Sequence, residues 1–180
     1  MATQTATASA HADLLEAFAN SVDVEYDTDS LTTRSDLTRW LHERGLLARR
    51  TPSTEEDLAL ARQLRSGIRD AMVAHHDHVP LASADLDEAS ARLLLRMSHS
   101  GDGPRLEPVE AGVRGALARI LVAVNEAVIS EDWTRLKVCP DDTCQLAFYD
   151  STKNRSKSWC GPSCQNKAKT RSYRQRQRTG

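Results

Sequence analysis

Four cysteines near the C-terminus, Cys139, Cys144, Cys160 and Cys164, are the only ones in the chain, and their spacing constrains the fold more than any other feature. They read C-x4-C, then fifteen residues, then C-x3-C. Two close pairs joined by a hairpin-sized insert form the pattern of a four-thiolate zinc site. Zinc takes four soft ligands in a tetrahedron at about 2.3 Å; each pair spans one edge and the insert brings the edges together. The competing use of paired cysteines is disulfides, which need an oxidising compartment. The first residues are small and polar, without the apolar stretch of a secretory signal. No apolar run approaches the roughly 20 residues of a membrane span. The expectation is therefore zinc as cofactor, a cytoplasmic location and no membrane partner.

Charge adds a second constraint. From Ser151 to Gly180 there are nine Lys or Arg and no Asp or Glu, while the whole chain has a net charge of −1. Removing nine positive charges from −1 leaves −10 on residues 1–150. A near-neutral total thus hides a basic tail suited to a polyanion and an acidic body with another task.

The body reads as helical. Apolar residues make up 39% of the whole chain and aromatics only 4%, so a packed core here must be mainly Leu, Val, Ile and Ala, which favours helices. A short helix is expected over Leu14 to Asn20, and an irregular acidic stretch from Ser21 to Ser30. Thr33-x-x-Asp36 caps a helix with Leu37, Trp40 and Leu41 inward, which Gly45 stops. Ser53-x-x-Glu56 opens a longer helix whose apolar face runs through Leu58, Ala61, Leu64, Ile68 and Met72. Ser83 caps another, with Leu86, Ala89, Leu93 and Leu94 inward. After a turn at Gly101-Asp102-Gly103-Pro104 and an extended piece over Arg105 to Val109, a strong stripe follows: Val113, Ala116, Leu117, Ile120, Leu121, Val124 and Val128. The expected organisation is a disordered tail at 1–10, a helical domain at 11–132 that folds alone, and a zinc-finger domain at 133–180.

Within the finger, Leu136 to Val138 and Leu146 to Tyr149 are β-like. Pro140-Asp141-Asp142-Thr143 and Gly161-Pro162-Ser163 are turns. Gln165 to Gln177, without Gly or Pro, is a helix. A knuckle, a hairpin and a helix whose first turn supplies the last ligand describe a treble-clef-like finger, so the fold class is mainly α with a small zinc module. On the helix, Lys167, Arg171, Arg174 and Arg178 follow at steps of four, three and four and share one face, with Lys169 and Arg176 expected to broaden it. Such a face suits phosphate contacts, and arginine also reads guanine edges.

These residues resemble the CGNR zinc-finger family of bacteria. The resemblance is carried by Phe148, Asp150, Thr152 and Asn154, by the pair Trp159-Cys160, and by Cys164 and Asn166 opening a basic helix. Gln165 and Lys167 stand where the family's motif has Gly and Arg. The body is similar to the helical ABATE domain that the family places before this finger: Phe18, Asn20 and Ser21 match its opening, and Leu37, Trp40, Leu41, Gly45 and Leu46 a second segment. The resemblance implies a stress-responsive transcription regulator. With the acid-free basic helix beside the zinc site, the expectation is DNA binding through Asn166, Lys167, Lys169, Arg171, Arg174, Arg176 and Arg178, in association with the nucleoid. RNA or the ribosome is the alternative partner; stacking aromatics would favour it, and only Tyr149, Trp159 and Tyr173 lie nearby. The helical body would take a small molecule or a protein partner, and a homodimer would supply the second contact that one small finger needs.

An enzyme is not expected. A catalytic zinc keeps an open position, which four cysteines close. His75-His76-Asp77-His78 reads as a solvated helix end. Asn20 reads as a helix C-cap, with a ligand pocket as the sharper alternative.

Overall fold

The computed structural model describes residues 7–48, 51–101 and 103–179, the side chains of Arg178 and Thr179 excepted. Among them the elements run α1 (Ala10–Ala19), β1 (Val22–Asp23), β2 (Thr28–Asp29), α2 (Arg34–Glu43), α3 (Glu55–Asp77), α4 (Ala84–Ala91), β3 (Leu95–Ser98), β4 (Arg105–Pro108), α5 (Gly112–Ile129), β5 (Leu136–Val138), β6 (Ala147–Tyr149) and α6 (Pro162–Thr179). Each consecutive strand pair is a two-stranded antiparallel hairpin.

Local chemistry explains most boundaries. Thr33 and Asp36 form the expected capping box, and Gly45 ends α2 in the left-handed region at φ 68°. The box of α3 is displaced by one residue from the expected Ser53/Glu56: Thr54 and Asp57 cap it. Both frames read alike locally, and tertiary contacts decide between them. Ser53 bonds Thr38 across the α2–α3 connection, while Asp57 is also held by Arg114 of α5. Ser83 caps α4 as expected. The chain is ordered earlier than the expected boundary at residue 11, since Ser9 caps α1; residues 1–6 of the expected tail, like Asp102 of the expected turn, lie outside the described residues.

The core is built from α1, α2, α3 and α5. Phe18, Leu37, Leu41, Leu64, Ile68, Leu117 and Ile120 are fully enclosed, and Phe18 packs against Trp40 with ring centroids 5.3 Å apart. Two residues expected inward are not. Leu94 is 56% exposed because α4 ends at Ala91, so the helical period no longer applies. Val128 is 53% exposed because the last turn of α5 meets the core through its neighbour Ala127, which is fully buried. The stretch from Ser21 to Ser30, expected to be irregular, is a small hairpin. Asp29 within it accepts both ends of the buried Arg65 guanidinium at 2.7 Å.

The main departure concerns the division at 132/133. Leu136, Val138 and Ala147 belong to the same buried cluster as the helices. In the β5–β6 register Leu136 faces Tyr149, Lys137 faces Phe148 and Val138 faces Ala147. Alternation therefore gives the hairpin two faces. Leu136, Val138, Ala147 and Tyr149 pack on the body, whereas Phe148 packs with the cysteines.

Polar groups tie the same seam. Asn20, whose backbone caps α1, grips Ala147 with both ends of its amide: Nδ2 donates to the Ala147 carbonyl at 2.9 Å and Oδ1 accepts its N–H at 2.8 Å. Arg69 donates to Ala19 O and Gln145 O. His75 Nδ1 donates to Leu136 O at 3.0 Å, and His76 Nε2 to Ser158 O at 3.0 Å. Burial holds the His75 pKa below its usual 6.5. His75 and His76 thus form an inter-module latch, whereas Asp77 and His78 are exposed, as expected from sequence. Asp132, at the expected boundary, accepts from Ser9 N–H, Ser130 Oγ and Tyr149 Oη. Burial, helped by the Asp132 carboxylate, pushes the Tyr149 pKa up to about 12.

A shared core predicts shared unfolding, not a body that ignores its finger. Leu136→Ala should cost about 2–5 kcal/mol. Asn20→Ala leaves two buried backbone groups unpaired, at about 1–3 kcal/mol each. Urea unfolding followed by far-ultraviolet circular dichroism, which reads mainly the body helices, should show one transition shifted to lower urea by either change. A helical signal unmoved by both would mean that body and finger unfold independently.

Candidate metal centre and nucleic-acid interface

The two cysteine pairs are delivered by different devices. Cys139 follows β5 directly and donates its N–H to Leu146 O at 2.9 Å, which closes the knuckle over Cys144. Asp141 fixes that knuckle: its Oδ1 accepts the Thr143 N–H at 3.0 Å and the Thr143 hydroxyl at 2.6 Å. Cys164 lies in the first turn of α6, which starts at Pro162 rather than at the expected Gln165. Proline suits the first helical position, where its missing N–H has no intrahelical partner to lose. Gly161-Pro162-Ser163, expected as a free turn, is thus the entry to the helix.

Cys160 depends on a loop held from beneath. Lys137 and Asp150 are both buried and pair at 2.8 Å. The Lys137 ammonium also donates to the carbonyls of Arg155 and Lys157. Asp150 Oδ1 accepts from the Thr152 N–H and hydroxyl, and Oδ2 from the Lys157 N–H. Lys157 then lies 4.9 Å from the Phe148 ring centroid. Phe148 and Trp159 pack with the four cysteines.

The four Sγ atoms lie within 4.8 Å of one another, and all four cysteines are free thiols. Cys144 and Cys160 are 3.6 Å apart, Cys160 and Cys164 3.7 Å. A tetrahedron of sulfurs at about 2.3 Å from zinc has edges of about 3.8 Å, so the donor set fits that ion. Burial pushes the Cys164 pKa up to about 11 and raises that of Cys160 too. Burial also opposes the Cys139 thiolate, but backbone N–H groups of Cys160 and Asp141, with neighbouring thiols, outweigh it and lower its pKa. Coordination deprotonates a thiol outright, which favours all four thiolates. The positive end of α6 faces the resulting anionic centre.

Beyond Cys164 no residue of α6 up to Gln177 is buried. Ser163, Asn166, Lys167, Thr170, Arg171 and Arg174 line one shallow groove on it. The sequence placed Lys167, Arg171 and Arg174 together correctly. Arg178 continues the same helix, and its side chain lies outside the described residues. Lys169 and Arg176 do not broaden this face. At 3.6 residues per turn they lie roughly 180–200° around the continuous helix from Lys167. Gln165, at the family's glycine position, is exposed. The sequence reading missed Asn20 as a clamp, Lys137, Asp132 and the histidine latch. None has a local pattern; each is identified only by a partner far along the chain.

Comparison with known families decides the kinship. The family model described as CGNR zinc finger matches residues 135–177. The model ABATE, described as "Putative stress-induced transcription regulator", matches residues 12–131, two thirds of the chain. The chain belongs to the ABATE family. It carries the CGNR zinc finger as its C-terminal part, and no curated protein matches it. The ABATE opening now has a physical meaning: Phe18 is core, Asn20 clamps the finger's hairpin, and Ser21 accepts from the buried Arg65. ABATE and CGNR together describe a zinc-binding regulatory protein.

Metal analysis of protein purified under reducing conditions should give one zinc per chain, and X-ray absorption should show four sulfur ligands at about 2.3 Å. Cys164→Ser should lose the metal. A nitrogen or oxygen in the first shell of the wild-type ion would reject the four-thiolate assignment.

Proposed function

We propose that this protein is a zinc-dependent transcription regulator whose finger helix binds DNA while the helical body receives a signal or a partner. The observation that carries this is the groove on α6. It springs directly from the metal centre, carries Lys167, Arg171 and Arg174, and belongs to a C-terminal stretch without a single carboxylate. Four thiolates close the zinc shell, which suits a structural ion and not a hydrolytic one.

The cations of the body support the same division. Arg62, Arg65, Arg69, Arg114 and Arg119 all donate inside the protein. More exposed body arginines are paired with carboxylates, Arg34 with Glu55, Arg39 with Asp36, and Arg96 and Arg105 with Glu107, and the net negative charge of the body steers duplexes toward α6.

DNA is favoured over single-stranded RNA by the aromatics. Tyr149 is bonded to Asp132 and the partly buried Trp159 packs on the cysteines, so both are engaged within the protein. Tyr173, 58% exposed on α6, is the aromatic left for contacts. A concavity of about 730 Å3, lined among others by Leu47, Leu106, Pro108, Gly112, Ala116 and Arg119, is where a small molecule or a protein segment would act on the body. No helix of the described residues is long and apolar enough to cross a membrane, which fits a cytoplasmic, nucleoid-associated role. One finger is small, so a homodimer or second contact completes specific binding.

If roughly 3 to 5 phosphates are contacted, log affinity against log salt should fall with a slope of about −3 to −4.5 on B-DNA. The Arg171→Ala/Arg174→Ala double variant should bind weakly and keep its zinc. Fluorescence anisotropy with a labelled duplex measures both. Salt-insensitive binding, or wild-type affinity in the double variant, would exclude this surface. Preference for structured or single-stranded RNA in direct competition would install the RNA reading instead.

A further inference from the structure

Within the groove, one arginine differs from its neighbours. Arg171 Nη2 lies 3.6 Å from Asp141 Oδ2. The Asp141 side chain is fully buried, and among the described residues Oδ2 is the only such buried polar atom without a hydrogen bond. A second aspartate in the finger is built the same way. In both Asp141-Asp142-Thr143 and Asp150-Ser151-Thr152, Oδ1 accepts the N–H and the hydroxyl of the threonine two residues on. At Asp150 the other oxygen is taken by the buried Lys137 and the Lys157 N–H. At Asp141 the equivalent oxygen is left facing Arg171.

We propose that Asp141 holds the Arg171 guanidinium to read a guanine edge in duplex DNA, making Arg171 the specificity-determining residue and leaving the phosphates to Lys167, Arg174 and their neighbours. The inference rests on the DNA-binding reading above and deepens it.

The physical argument is one of charge and shape. A carboxylate this close repels an incoming phosphate, so it is a poor companion for an arginine whose task is the backbone. A guanine edge carries no net charge, so the same carboxylate costs it little. Guanidinium presents five donors in a rigid fork. One donor turned to Asp141 leaves others for the O6 and N7 acceptors of guanine, the pairing that distinguishes this base in the major groove. Holding the fork in advance reduces the side-chain entropy lost on binding. Asp141 can do this because the knuckle fixes it: it lies between ligands Cys139 and Cys144, with Oδ1 bound to Thr143.

The test uses the full-length zinc-loaded protein and a randomised duplex library. Selected duplexes should share an invariant guanine. Replacing it should weaken wild-type binding about 5- to 150-fold, the range commanded by one bidentate pair. Asp141→Asn keeps the Oδ1 acceptor for Thr143, so it should keep zinc and the salt slope but lose the guanine preference. Arg171→Lys keeps the charge and removes the fork, and it should also retain the slope and lose the preference. If Arg171→Lys weakens all duplexes equally and leaves the preference intact, Arg171 is a phosphate contact and the inference fails. If Asp141→Asn releases zinc while the remaining metal-loaded fraction still prefers guanine, Asp141 serves the knuckle alone and the inference fails. Salt-dependent duplex binding without base preference overturns this inference and leaves the proposed function standing. Failure to bind duplex at all overturns both.

Discussion

The two faces of the β5–β6 hairpin are the constraint on which the rest depends. A ribbon of three residues per strand is marginal alone, having an apolar face to cover and backbone groups to pair. Here each face has its own cover. Leu136, Val138 and Ala147 enter the helical core, while Phe148 lies against the cysteines. Asn20 pairs both backbone groups of Ala147, much as a neighbouring strand would. The hairpin is therefore the floor of the finger and one wall of the body. Structural zinc contributes on the order of 10 kcal/mol or more in such modules. With the core continuous across the seam, part of that free energy reaches the helices.

This continuity also accounts for what the sequence could reveal. The cysteine spacing, the stripes of α3 and α5 and the threonine cap of α2 are local patterns, and they placed the metal site, the main helices and the class of the fold. The misreadings came where distant partners choose between equal local options. Ser53 and Thr54 both open plausible capping boxes; Thr38 and Arg114 decide between them. A histidine tract at a helix end looks solvated until Leu136 O and Ser158 O arrive from residues sixty and eighty positions away. Arg65 and Arg69 interrupt an apolar helix face, and nothing nearby shows that Asp29, Ala19 and Gln145 will satisfy them. A buried lysine is the least legible: Lys137 sits inside a β-like run, and its partners Asp150, Arg155 and Lys157 follow in a loop without regular period.

Family models divide the chain near residue 132, and so does the charge pattern; packing does not. The two divisions answer different questions. Charge separates the acid-free C-terminal stretch from the acidic body, and beyond Cys164 α6 stands clear of the core. Packing separates what can unfold independently, and the hairpin joins the body in that respect. Asn20, Arg69 and His75, the side chains that join the helices to the hairpin backbone, couple the body mechanically to the finger.

The same logic extends from the hairpin to the outer surface of the finger. The Asp141 carboxylate sits on a knuckle shaped by its own bonds to Thr143 and by the Cys139 N–H to Leu146 O bond, with Cys139 and Cys144 at either end, and Arg171 leans toward that carboxylate across the start of α6. Remove the metal, and the knuckle loses the ligand bonds at both its ends and keeps only these hydrogen bonds, whereas α6 is rich in good helix formers. Charge on the helix would survive such a change, because Lys167 and Arg174 need no partner to remain cationic. The placement of Arg171 would not. Sequence reading is therefore the more metal-dependent of the two functions proposed for this surface, and simple attraction to phosphates the less.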